Sequence, residues 1–188
     1  MIIELTNAPK VSVVIPTYNR AQVVWLAIRS VAVQTFPDWE LIVVDDGSAD
    51  DTERIVQAFR DPRIRYIRQD RNRGQSAAQI TGIAVARGGY VSFLDSDDEW
   101  LPGKLASEVA LFESAGGRIG LVYTGKMLVD EQGRVIKVRI PRAEGRVCEE
   151  LLEWDFIGSC SRVSVRENIL AAVGGFDETP INWNDWDP

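Results

Sequence analysis

Along the first hundred residues, short unbroken apolar runs alternate with segments whose apolar positions recur at helical spacing. "VSVVIP", 11–16, is a continuous β-branched run closed by Pro16 and predicts a strand buried on both faces. From Ala21 to Val33 the pattern changes: Val24, Ile28 and Val31 fall at i, i+4 and i+7, which predicts a helix, and Pro37 marks the break after it. "LIVVDD", 41–46, is a second buried strand. In the "GSADD" that follows, Ser48 with Asp51 three positions on has the form of a capping box. Thr52, Ile55, Val56 and Phe59 give the next helix its apolar stripe. "IRYIR", 64–68, alternates like a strand near a sheet edge, residues 75–87 are Ala-rich and helical up to Gly88-Gly89, and "YVSFLD" is a fourth strand. Strand and helix in regular alternation predict right-handed crossovers and a mostly parallel sheet covered by helices.

After Trp100 the rhythm changes. "LPGKLASEVALFES" predicts a helix with Pro102 near its first turn. "IGLVYTGKMLVD", "EQGRVIKVRI" and "CSRVSV" read as strands separated by Gly-bearing turns. No clean linker, repeat or low-complexity tract divides the chain. The expectation is one α/β domain over residues 1–188, with a nucleotide-type half at 1–100 and a more irregular, mixed half at 101–188.

Composition narrows the chemistry. The chain has 188 residues, 45% of them hydrophobic, which suits one medium globular domain. Acids outnumber bases 28 to 21, a formal charge of −7, which argues against nucleic acid as a partner. A small phosphorylated ligand held through a metal remains compatible with that charge. With no histidine, imidazole base chemistry and histidine metal sites are excluded, and proton transfer near neutral pH falls to a carboxylate. The two cysteines, Cys148 and Cys160, lack metal-type spacing and read as reduced thiols in a cytosolic compartment. "MIIELTNAPK" lacks the layout of a signal peptide, and no apolar run approaches the ~18 residues of a membrane span.

Three strands run into polar residues: "VSVVIP" into "TYNR", "LIVV" into Asp45-Asp46-Gly47-Ser48, and "YVSFL" into Asp95-Ser96-Asp97-Asp98. In an open parallel sheet such strand ends meet at one crevice, where ligands bind. Five aspartates on one rim would raise each other's pKa unless something positive joined them. A hard divalent cation with oxygen ligands, Mg2+ or Mn2+, is the expected partner, held by one or two carboxylates and by substrate phosphates. Taken singly, "DDGS" also fits a plain turn and helix cap, and a lone DxD is weak.

Five spaced motifs, "VSVVIPTYNR", "LIVVDDGSADDT", "NRGQSAA", "YVSFLDSDDEW" and "GGFDE", together resemble the inverting GT-A glycosyltransferases of the type-two family, the nucleotide-diphospho-sugar transferases. The resemblance runs from about Val11 to Asp187. It implies a Rossmann-like, mostly parallel sheet flanked by helices. It implies that Pro16, Thr17 and Tyr18 line a base pocket and that Asp46 accepts a hydrogen bond from the ring N–H of a uracil- or thymine-type base. Asp70 is a further candidate for that pocket. Asp97 would touch the ribose or the metal, Asp98 would ligate the metal, and Asp95 supports or joins the cluster. The family's catalytic base aligns with Asp185 in "NWNDWD", where Asn184 stands in place of the usual Glu. Gln79 and Ile80 replace the Arg and Asn of the family's "AARN", and Arg71 or Arg73 are the nearby cations able to compensate.

The implied partners are a nucleotide-diphosphate sugar donor and a saccharide or lipid-linked acceptor. The implied setting is polysaccharide or glycoconjugate assembly in the cytoplasm, with peripheral association at the inner face of the membrane. The chain stops just after Asp185, which reads as a truncated C-terminus. Trp100, Trp154, Trp183 and Trp186 are open to either sugar stacking or packing, whereas Trp25 and Trp39 read as core. Two other enzyme or binding classes fit less well. A receiver domain would carry its acid pair after the first strand, and a nucleotidyltransferase would have a Gly-rich basic loop where "TYNRAQ" stands. An inactive nucleotide-sugar binder is the remaining alternative.

Overall fold

The computed structural model describes residues 8–153 and 155–177. The buried runs form parallel strands β1 (Val11–Thr17), β2 (Trp39–Asp45), β3 (Ile64–Arg68) and β4 (Tyr90–Phe93). Helices α1 (Val24–Ala32), α2 (Thr52–Gln57) and α3 (Gln75–Val85) connect them. Beyond β4 come α4 (Lys104–Ser114), β5 (Leu121–Tyr123), β6 (Lys126–Val129), β7 (Val135–Arg139), α5 (Cys148–Glu153), β8 (Val163–Arg166) and α6 (Glu167–Ala172). The main sheet has the order β3-β2-β1-β4-β8-β5, with β8 antiparallel to both neighbours, and β6 and β7 form a separate two-stranded sheet.

Both faces of the central strands are covered, which is why their sequences are unbroken apolar runs. Val11, Val13, Ile15, Leu41 and Val43 pack with Val24, Ile28 and Val31 of α1 and with Leu105, Val109 and Phe112 of α4. The alternate residues Val14, Ile42, Val44, Val91 and Phe93 pack with Ala78 of α3 and Leu170 of α6. Gly82 lets α3 lie directly on the sheet: a Cβ there would sit 2.4 Å from a Val14 methyl. At the opposite edge from the strand ends, buried Glu40 accepts hydrogen bonds from Ser12, from the Arg87 backbone and guanidinium, and from Arg65. Burial pushes the Glu40 carboxyl up, but these donors outweigh it and hold it below its ordinary value. This buried acid is a structural clamp.

The structure departs from the sequence expectations in four places. The Ser48–Asp51 capping box does not form. Ser48 Oγ accepts from Asn19 N, and Asp50 takes the N–H of Thr52 instead, so tertiary and nearer local partners win. Trp25 is not core: it is 38% exposed, with Nε1 donating to Gln22 O and Arg29 over its ring. "IGLVYTGKMLVD" is broken into β5 of the main sheet and β6 of the hairpin. "CSRVSV" begins with a 3-10 turn at Cys160–Arg162 before β8.

Candidate functional site

The register sets the rim. Thr17 pairs with Asp45, and Asp45 with Arg68, so β1, β2 and β3 end level, while Phe93 of β4 pairs with Val14 and brings the acid loop up beside Pro16 and Thr17. The chain order reverses at β1, whose neighbours are β2 on one side and β4 on the other. That reversal opens the crevice in which ligands of such sheets bind.

On the β1–β2 side the two aspartates have separate tasks. Asp45 is fully buried and accepts from Ser48 N (2.7 Å) and from the Tyr66 hydroxyl (2.5 Å). Burial first, and then Asp45, push the Tyr66 phenol up. Asp46 accepts from the backbone N–H groups of Arg73 and Gly74, both at 2.8 Å, and its own N–H donates to Thr17 O. Burial pushes the Asp46 carboxyl above its ordinary value in spite of those two donors. Gly47 has φ +82, and a Cβ there would be 2.9 Å from the backbone of Arg71, so only glycine lets the 70–74 segment close over this loop. Asn19, at φ 52, accepts from Ala49 N and donates from its own N–H to Ser48, tying the loops after β1 and β2 together. Pro16 and Thr17 are buried and Tyr18 is exposed. Thr17 Oγ1 and the buried Gln79 Nε2 have no hydrogen-bond partner among the described residues. Asp70 is exposed just beyond β3.

The acid loop after β4 is held from the other side. Asp95 accepts from Gln75 Nε2 (2.9 Å) and from Ser159 Oγ (3.2 Å), and its N–H donates to Ser161 Oγ (2.9 Å). Trp100 is buried, donates from Nε1 to Ser161 O (2.7 Å) and lies under the Lys104 ammonium, so its ring anchors the loop's far end and is not a sugar platform. Asp97 and Asp98 point outward and are exposed. Two arginines offset the like charges, with Arg20 3.6 Å from Asp97 and Arg29 3.3 Å from Glu99. Exposed pairs of this kind contribute about 0–1 kcal/mol each, too little to compensate the whole cluster. The Asp98 carboxylate makes no hydrogen bond or ion pair among the described residues.

Pro16, Thr17, Tyr18, Asp46, Asp95, Asp97 and Asp98 thus lie along one edge, and Asp70 follows β3, which ends level with β1 and β2 on that edge. Asp185, with Trp154, Trp183 and Trp186, falls outside the described residues. Gln75, Ser159, Ser161 and Arg20 were not anticipated. Gln75 opens α3, and its place beside the conspicuous "NRG" turn was the one available signal. Ser159 and Ser161 reach the loop from more than sixty positions downstream and have no local signature.

Among the described residues no three His, Cys, Asp or Glu side chains converge on a ready-made metal cage. Mg2+ and Mn2+ sites need only one or two protein carboxylates where substrate phosphates complete the shell. The outward carboxylates of Asp97 and Asp98 would supply oxygen donors to such an ion.

The model of a protein family described as Glycosyl transferase family 2 matches residues 12–167. The chain belongs to that family. Glycosyl transferase family 2 is a GT-A-fold group, and this sheet and its helical layers are that fold. A Campylobacter jejuni relative, named GalNAc(5)-diNAcBac-PP-undecaprenol beta-1,3-glucosyltransferase, is 39% identical over 69% of this chain and 41% of its own. S. aureus TarS 1-349, solved in complex with UDP, superposes with a TM-score of 0.77 at 25% identity, over 94% of this chain and 52% of that one. A mannosyltransferase from Pyrobaculum calidifontis, solved with GDP-Man and Mn2+, shares the fold with a TM-score of 0.67 at 22% identity, over 93% and 49%. The chain spans 34% to 65% of the length of four curated relatives. No helix among the described residues is long and apolar enough to cross a membrane.

Proposed function

We propose that this domain transfers a sugar from a UDP- or dTDP-type donor to an acceptor hydroxyl, with metal assistance and inversion at the anomeric carbon, in polysaccharide or glycoconjugate assembly. The observation that carries the proposal is the shared rim: Thr17, Asp46 and the 95–98 acid loop lie at the carboxyl ends of parallel strands, at the reversal of strand order, in a family 2 chain. The complexes of TarS with UDP and the lipid-linked acceptor in the name of the Campylobacter relative support the donor and acceptor classes.

In this reading Asp46 accepts the imide N–H of the base, which only the ionised carboxylate can do. The unpartnered Thr17 hydroxyl faces the same bound nucleoside and gains a partner from it. Asp97 and Asp98 hold Mn2+ or Mg2+, which when bound neutralises the diphosphate leaving group. Asp95, fixed by Gln75, Ser159 and Ser161, holds the loop that presents them. The acceptor oxygen forms its bond to the anomeric carbon as the bond to the diphosphate breaks on the opposite face. The hydroxyl proton passes to Asp185.

Two results test the donor half. Calorimetric titration with UDP is expected to show binding that needs Mn2+ or Mg2+ and that Asp98→Asn weakens at least about tenfold, about the 1.4 kcal/mol of one lost charge-assisted contact. Metal-independent binding of equal strength would remove the assignment of Asp97 and Asp98. The pH profile tests Asp46. Its ionised form binds, and burial has raised its pKa, so UDP affinity should fall on acidification from a pH above the ~3.9 of a free Asp. Asp46→Asn should flatten that limb and weaken binding throughout. An unchanged acid limb in the variant would place the titrating group elsewhere.

A further inference from the structure

Among the described strands, those of the β6–β7 hairpin are the least covered. Every residue of both strands is exposed. The register opposes Lys126 to Arg139 and Leu128 to Lys137 on one face and Met127 to Val138 on the other, and a bulge after Leu128 shifts the pairing by one residue so that Val135 joins that second face opposite Val129. Alternation puts Ile140 on the second face with Val138, opposite Gly125, where an added Cβ would lie 3.3 Å from its side chain. One face is therefore mainly cationic. The other is aliphatic, and Met127, Val129, Val135, Val138 and Ile140 are 45% to 72% exposed there. A two-stranded sheet with an open apolar face is marginal in water, and such a patch marks an interaction surface.

Charge selects the occupant. Residues 121–146 hold six Lys and Arg against three Asp and Glu, in a chain whose formal charge is −7. The partner that fits is anionic and apolar at once. A second copy would set two cationic segments against each other. Its contact would also be a handful of side chains, well below the ~800 Å² per partner of a stable dimer. A lipid interface sets no such minimum. Aliphatic side chains enter the boundary between headgroups and acyl chains, and Lys and Arg on the same short element stay within the ~8 Å over which an anionic surface acts.

We propose that the β6–β7 hairpin is a membrane-docking element. Met127, Val129, Val135, Val138 and Ile140 enter the interface of an anionic bilayer, and Lys126, Lys137 and Arg139 engage its acidic headgroups. The inference rests on the hairpin alone and stands independently of the transferase reading.

The test is cosedimentation of this chain with vesicles of phosphatidylcholine and of phosphatidylcholine mixed with phosphatidylglycerol. Binding to the mixed vesicles alone, weakened by salt, is expected. Lys126→Glu/Lys137→Glu/Arg139→Glu should lower that partition about tenfold or more. Met127→Ser/Val138→Ser should lower it at low salt as well. All five side chains are exposed, so both variants should keep the thermal midpoint of the parent. Absence of binding, equal binding to both vesicle types, or a charge-reversed variant that binds like the parent would overturn the proposal. So would self-association that Val138→Asp abolishes in a chain that ignores vesicles, which would give the face to a second copy.

Discussion

Asp185→Asn is expected to lower turnover by about 10²- to 10⁴-fold, the usual contribution of a positioned general base, while UDP affinity in the presence of Mn2+ stays within about twofold. The reasoning is chemical. An acceptor hydroxyl cannot keep its proton once it bonds to the anomeric carbon. Among the groups this sequence offers, which include no histidine, a carboxylate is the one suited to receive that proton near neutral pH. An amide of the same shape can still hydrogen-bond but takes no proton. Turnover would be read as UDP release from UDP-sugars in the presence of a lipid-diphosphate saccharide, with affinity read separately by calorimetry. A variant that turns over at the parental rate would remove Asp185 from the mechanism. A variant that loses UDP affinity would make it a donor-site residue.

Lys104→Met should destabilise the fold by about 3–5 kcal/mol, the cost of leaving one member of a buried ion pair alone. Lys104 Nζ lies 2.6 Å from Glu108 Oε1, with both side chains nearly solvent-free. The other Glu108 oxygen accepts from Ser164 Oγ, which is also 2.6 Å from Ser92 Oγ. Burial pushes the Lys104 ammonium below its ordinary value, although Glu108 pulls the other way, so charge here exists only by mutual support. Urea denaturation would show the loss as a lower midpoint at unchanged slope. Lys104→Met/Glu108→Gln should recover much of it, because the buried charge is gone and an acceptor for Ser164 remains. A double variant as unstable as the single one would show that packing, not charge, sets the cost. The ammonium also covers the Trp100 ring, whose N–H holds Ser161, so the single variant should loosen the acid loop and lower metal-dependent UDP affinity as well.

The parallel half was legible in the sequence for a simple reason. Strands buried on both faces are unbroken apolar runs, and the residues that follow them reach one edge whatever the helices between them do. Asp46 and the 95–98 loop were found that way. The second half was not, because its order depends on pairings far apart in the chain: β8 inserts antiparallel between β4 and β5, and nothing local announces it. Local rules also yielded to tertiary partners. Ser48 caps nothing because Asn19 claims its hydroxyl. Trp25 sits one position beyond the Val24–Ile28–Val31 stripe and faces solvent, where Arg29 covers it.

That inserted strand also has a bearing on how the molecule comes together. The first three strands close over single crossovers, whereas β4 has to return past two strands to set Tyr90 beside Val11, and the bond from Asp95 N to Ser161 spans 66 positions. Longer closures cost more chain entropy and slow the steps that need them. During synthesis the rim of Thr17, Asp46 and Gly74 can consolidate while β8 is still inside the ribosome. The acid loop acquires its fixed backbone last, so a nascent chain finishes the edge proposed for the nucleoside well before the place proposed for the diphosphate.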